Sequence, residues 1–213
     1  MASQQDLDAA LLEASGEGRL DEIRSLLDRR ASIDAVDDYD ATTLHCASRN
    51  GHHRCIELLL DRRATIDAVD NHDATPLHWA SDNGHHQCVE LLLDQRASID
   101  AVDHYDATPL HRASRYGHHQ CVELLLDRHA NVEAVEAISK ATPLHESSRS
   151  GHYQCVELLL DRHADIIAVD SDKATPLHEA SRYGRHRCIE ILIDHGASKS
   201  IANVRRPPSI SFD

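Results

Sequence analysis

One phrase governs what this chain can become. The stretch DATPLHWASDNGHHQCVELLLD at residues 73–94 returns, with three letters changed, as DATPLHRASRYGHHQCVELLLD at 106–127. Aligned on His45, His78, His111, His145 and His178, the copies recur at intervals of 33, 33, 34 and 33 residues. Self-similarity at a fixed period of this size marks a stacked-repeat architecture. A single unit cannot bury its own apolar side, but stacked neighbours can, so the fold becomes a row of nearest-neighbour contacts. On this reading the unchanged letters form the interface between copies, and the changed letters are largely exposed. The one longer interval contains VEAVEAISKATPLH where IDAVDHYDATPLH stood one unit earlier. An insertion that leaves both flanks in register belongs in a loop.

Each unit reads as two short helices. Thr75 is a good N-cap, and Pro76 suits the first helical position, where no backbone donor is missed. Leu77 and Ala80 share a face at i, i+3 spacing. Gly84 ends the first helix. A second starts near His85, with Cys88, Val89, Leu92 and Leu93 as its apolar stripe. The connecting stretch RASIDAVDHYDA carries β-branched residues and Asp, and reads as an extended excursion with a turn.

The signature carried by these units stands as TPLHWA, TPLHRA, TPLHES and TPLHEA, with a first copy, TTLHCA, that lacks the proline. Five copies in register at this period resemble the ankyrin repeat family. The resemblance implies an all-α solenoid of helix-turn-helix repeats joined by β-hairpin-like loops. It divides the chain into an N-terminal capping repeat at 1–39, repeats at 40–72, 73–105, 106–139 (with the inserted residue) and 140–172, a C-terminal capping repeat at 173–205, and a tail at 206–213. Two departures stand out. The family commonly has glycine at the hairpin bend, where this chain has Asp40, Asp73, Asp106, Lys140 and Lys173. It also commonly ends the second helix on glycine, where this chain has Arg30, Arg63, Arg96, His129 and His163, with only Gly196 retained. If these positions need a left-handed backbone, each non-glycine residue costs roughly 1 kcal/mol, and Asp less.

Composition narrows the function classes. Aromatics are only 3% of the chain and the formal net charge is −14. A field of that sign repels long phosphate backbones, so no nucleic-acid partner is expected. The longest apolar runs, such as CIELLL, fall far short of a membrane span, and the opening MASQQDLDAALLEASGEG has no basic segment ahead of an apolar one. Neither a membrane nor a secretory route is expected, and an unpaired cysteine set fits the cytoplasm or nucleus. Five of the six cysteines (Cys55, Cys88, Cys121, Cys155 and Cys188) hold one repeated place. Equivalent residues on packed helices sit about 8–10 Å apart, beyond disulfide reach.

Eighteen histidines invite a metal reading. GHHRC and GHHQC place His52 and Cys55 three apart on one helical face, where both can touch a zinc ion. A metal-responsive protein is therefore the alternative function. Two ligands per repeat fall short of the four a structural zinc takes, and repeats are too far apart to share one, so no metal or cofactor is expected. The resemblance implies that the five signature histidines hydrogen-bond within their repeat and to the adjoining loop. One role in five places is structural. No nucleophile elbow, phosphate-cradling loop or converging carboxylate pair is present, so no catalytic residue and no enzyme are expected. In the tail, Ser209 follows Arg206 by three, a pattern a basophilic kinase accepts.

The expected function is protein–protein recognition, as adaptor, scaffold or inhibitor, by a monomer. In the ankyrin family partners usually meet the hairpin tips and the exposed face of the first helix. Carried over, the tips supply Tyr39, His72, His104, Tyr105 and Ile138. The helix position after the signature supplies Trp79 and Arg112, and also holds Cys46, Glu146 and Glu179. The pair before each turn glycine supplies Arg49, Asp82, Arg115, Tyr116, Arg149, Arg182 and Tyr183. These are places where the copies disagree most, and they hold most of the rings; Trp, Tyr and Arg dominate interface energetics. An acidic hairpin edge (Asp37, Asp38, Asp40, Asp70, Asp73, Asp103 and Asp106) fronts a basic stripe on the first helices. The expected partner is a basic or mixed-charge segment lying along the early repeats against Tyr105 and Tyr116.

Overall fold

The structure, a computed structural model, describes residues 3–197. Among the described residues it consists of twelve α-helices and no strand. They form six antiparallel pairs: α1 (Gln4–Glu17) with α2 (Leu20–Asp28), α3 (Thr43–Arg49) with α4 (His53–Asp61), α5 (Pro76–Asp82) with α6 (His86–Asp94), α7 (Pro109–Tyr116) with α8 (His119–Asp127), α9 (Pro143–Ser150) with α10 (Tyr153–Asp161), and α11 (Pro176–Arg182) with α12 (His186–Asp194). The odd-numbered helices pack in one row and the even-numbered in a second. This is the all-α solenoid the repeat period calls for. One core runs its length, with Leu44, Leu77, Leu110, Leu144 and Leu177 from the first row and Leu59, Leu92, Leu125, Leu159 and Leu192 from the second. Among the described residues no helix is long and apolar enough to cross a membrane. The Arg206–Ser209 kinase pattern, the tail and the last residues of the C-terminal repeat lie outside the described residues.

The odd helices start as the sequence indicates. Thr42, Thr75, Thr108, Thr142 and Thr175 are the N-caps, each with extended backbone, followed by proline in every copy but the first. In that copy Thr43 is buried, and its hydroxyl donates to the Ile33 carbonyl at 2.7 Å. The histidine three residues after each cap takes the role glutamate usually has in a capping box. His45 Nδ1 accepts from the Thr42 N–H at 3.0 Å, while its Nε2–H donates to the Ala74 carbonyl of the next unit at 2.9 Å. His78, His111 and His145 repeat both bonds, reaching Ala107, Ala141 and Ala174. Burial pushes these imidazoles below their ordinary pKa, His78 to about 4.

The ten non-glycine positions singled out in the sequence all have left-handed backbone, with φ between 53° and 70°. At the end of α2 the Arg30 N–H bonds the Leu27 carbonyl and the Ala31 N–H bonds the Leu26 carbonyl, a Schellman ending. The same pair of bonds closes α4, α6, α8, α10 and α12.

The connecting loops reach a hairpin shape without regular strands; an isolated bridge, Val36 to Thr42, is the only ladder element among the described residues. Each tip is closed by two backbone bonds, such as Asp70 N–H to the Ala74 carbonyl and Asp73 N–H to the Asp70 carbonyl. Asp70 Oδ1 also accepts from the N–H groups of His72 and Ala74, and Asp103 and Asp170 do the same in their own loops. In the unit with the inserted residue, Glu136 replaces the aspartate and Ser139 relays it: the Ser139 hydroxyl donates to Glu136 and accepts from the Ala141 N–H. Neighbouring tips are tied together by Asn71 N–H to Tyr39, His104 N–H to His72, Ala137 N–H to Tyr105, and Ser171 N–H to Ser139.

Candidate functional site

The hairpin tips and the odd-numbered helices bound the surface where the copies differ. A groove of about 500 Å³ opens there, lined by Arg49, Asp70, His72, Ala74, His78, Trp79, Asp82, Asn83, Tyr105 and Arg112. It lies between the ends of α3 and α5, the start of α7, and the tips at 72 and 105. Six of the residues proposed from sequence meet in it: Arg49, His72, Trp79, Asp82, Tyr105 and Arg112. Trp79 is its floor. The indole Nε1–H donates to Asp70 Oδ2 at 2.9 Å, the Arg49 guanidinium sits 5.4 Å from the ring centroid, and His45 meets the ring edge-on at 5.5 Å. The same Asp70 thus shapes the tip and orients the tryptophan.

The remaining sequence-derived positions are dispersed. Tyr39 and Ile138 stand exposed on other tips, Ile138 at 78%. His104, also on a tip, lies 3.8 Å from the Asp73 carboxylate. Tyr116 stacks over His118 with centroids 6.5 Å apart and does not line the groove. Tyr183 and Arg182 are exposed at the far end of the first row.

The charge pattern read from sequence requires correction. Glu146 and Glu179, expected on the exposed helix face, are 1% and 0% exposed. They are the centre of an ionic ladder. Arg115 binds Glu136 and Glu146, Arg149 binds Glu146 and Glu179, and Arg182 binds Glu179. Arg112 likewise binds Asp103, whose side chain is fully buried. Burial alone would raise the Asp103 carboxyl, but the bonds from Arg112, Tyr105 N–H and Ala107 N–H hold it below its ordinary range. The basic stripe is therefore spent inside the molecule on carboxylates that loop and helix positions bury. Asp70 and Asp103 are buried and so lost to the acidic edge, while Asp38, Asp40, Asp73 and Asp106 remain exposed. Arg49 is the one stripe member that makes no ion pair among the described residues.

The His/Cys faces are also occupied by packing roles. His52 Nε2–H donates to the Gly16 carbonyl, His85 to Arg49 and His118 to Asp82, each reaching the preceding unit. The cysteines three residues on are free thiols buried in the apolar core, pushed by burial to about 12 at Cys88, Cys121 and Cys155. Among the described residues no three His, Cys, Asp or Glu side chains converge as metal ligands would. A second hollow of about 630 Å³ lies against α1 and the first tip. Its Asp8 and Asp34 carboxylates already accept from the Ser32 and Thr65 N–H groups.

Asp70 was legible as a tip residue but not as the hydrogen-bond partner of Trp79, because the two lie nine residues apart across a loop.

Comparison with known proteins agrees with this architecture. A family model of ankyrin repeats in three copies matches residues 66–136 and 132–203, and a model of ankyrin repeats in many copies matches 9–60. The crystal structure of the human ASB11 ankyrin repeat domain is similar at a TM-score of 0.80 and 32% sequence identity, over 88% of this chain and 84% of that one. No curated protein matches.

Proposed function

The chain belongs to the ankyrin repeat family, and from that premise we propose that it is a non-enzymatic recognition module that docks another protein along the hairpin tips and odd-numbered helices. Ankyrin repeats are generally protein–protein interaction modules. The observation that carries the reading here is the groove around Trp79. It gathers two rings, a guanidinium without an ion pair and a partly exposed carboxylate on a molecule poor in aromatics. On α7, α9 and α11 the charged side chains are paired with one another, so few charges are left to reward a partner there. Large rings beside arginine in a concave, partly desolvated place are the residue types that dominate binding energies. An adaptor, scaffold or inhibitor role in the cytoplasm or nucleus fits a module of this kind.

The test is affinity capture from native extract with three forms of the chain. His72→Ala combined with Tyr105→Ala removes exposed groove side chains without touching a buried bond. Tyr153→Ala, on the even-numbered row beside Arg187, is the control. The partner should be lost with the double variant and kept with the control. Retention by the double variant moves the docking surface away from the groove. Arg112→Glu is unsuitable for this purpose, since Arg112 holds the buried Asp103 of its own tip.

A further inference from the structure

Resting on the groove as docking surface, we propose that the partner inserts a lysine or arginine side chain beside Trp79 and that the Asp82 carboxylate takes its cation. Asp82 ends α5 on the groove wall. Its Oδ1 is buried without a hydrogen-bond partner, while 34% of the side chain remains open. The nearest cation, Arg112 Nη1, is 3.6 Å away, and that guanidinium is committed through Nε and Nη2 to Asp103. Burial already raises the Asp82 carboxyl above its ordinary range. A carboxylate half withdrawn from water, whose one ion pair is long and shared with Asp103, gains most from a second cation at its open oxygen. Arg49 is the charge without an ion pair, but it is exposed, and it already faces the indole.

The surroundings favour the same sign. Asp73 and Asp106 are exposed on the tips beside the groove, on a chain of net charge −14. That field draws a cation in and turns a carboxylate away. A hollow of about 500 Å³ accommodates a long basic side chain. The apolar stem lies along Trp79 while the charged end reaches the exposed carboxylate oxygen.

Trp79 is the single tryptophan of the chain, so its emission reports groove occupancy alone. A random linear peptide library displayed on phage is selected against the full chain, and the enriched peptides are synthesised. The expected peptides share a basic residue, shift Trp79 emission, and lose about tenfold or more in affinity to Asp82→Asn. That variant's thermal transition is recorded to verify folding. Norleucine in place of the basic residue should cost the wild type a similar factor and cost Asp82→Asn little more. Peptides that shift Trp79 emission but lack a basic residue, or bind Asp82→Asn equally, overturn the cation pairing and leave the groove reading standing. Peptides that bind with unchanged Trp79 emission, or a selection that enriches nothing, overturn both.

Discussion

At the scale of single residues, the repeated letters divide into those that are well satisfied and those that are not. Ser48, Ser81, Ser114 and Ser148 occupy one place on the odd-numbered helices, and all four hydroxyls are buried without a partner. Removing a buried unsatisfied hydroxyl is worth about 1 kcal/mol. Each Ser→Ala change should raise the denaturant midpoint, and the four together should add up; an unchanged or lower midpoint would mean the hydroxyls are bonded in solution. The left-handed positions carry a similar load. His163→Gly and Arg96→Gly should raise the melting temperature by the equivalent of several tenths of a kcal/mol, after the entropic cost of glycine is subtracted. Four signature histidines, His45, His78, His111 and His145, set the acid limit. Their folded pKa values lie below the unfolded value of 6.5 because burial disfavours the imidazolium, so the unfolded chain binds more protons between the two. Stability is whole above about pH 6.5 and is lost as pH falls toward about 4, the His78 value. Melting temperatures recorded from pH 7 to pH 4 should fall steadily, and less so in a His78→Gln variant.

At the scale of elements, the two halves of the first helix row are held differently. The α1, α3 and α5 helices meet through apolar side chains and backbone capping, whereas α7, α9 and α11 add the arginine–glutamate ladder. Glu179 is the clearest case, since it is fully buried and bridges Arg149 and Arg182 across two units. Glu179→Gln should cost about 2 kcal/mol, given that both arginines can turn partly to water. The exposed Glu190, paired only with Arg187, should cost almost nothing in the same change. Equal effects from both, read by chemical denaturation, would show that the ladder contributes no more than a surface pair.

At the scale of the whole molecule, stability is a sum over interfaces between neighbours. The central interface is marked by Gly84, whose φ is +74° and whose added Cβ would lie 2.5 Å from the His118 ring. Gly84→Ala should therefore weaken the joint between α5–α6 and α7–α8 more than either side. The single unfolding transition expected of the wild type should split in two, with three helix pairs on each side. A single transition merely shifted to lower temperature would show that coupling across this joint does not limit cooperativity.

The sequence by itself determined the architecture, the helix caps and the position of the tips, because each follows from local chemistry repeated at a fixed period. Tertiary structure alone decided which polar residues remain for a partner. Glu146 and Arg149 look as exposed in the sequence as Asp82 and Arg49, but the first two pair closely with side chains one repeat away, whereas Asp82 has one long pair to Arg112 and Arg49 has none. Burial and pairing depend on what the neighbouring copy places opposite a side chain, and a period shows which positions correspond without showing which charges meet.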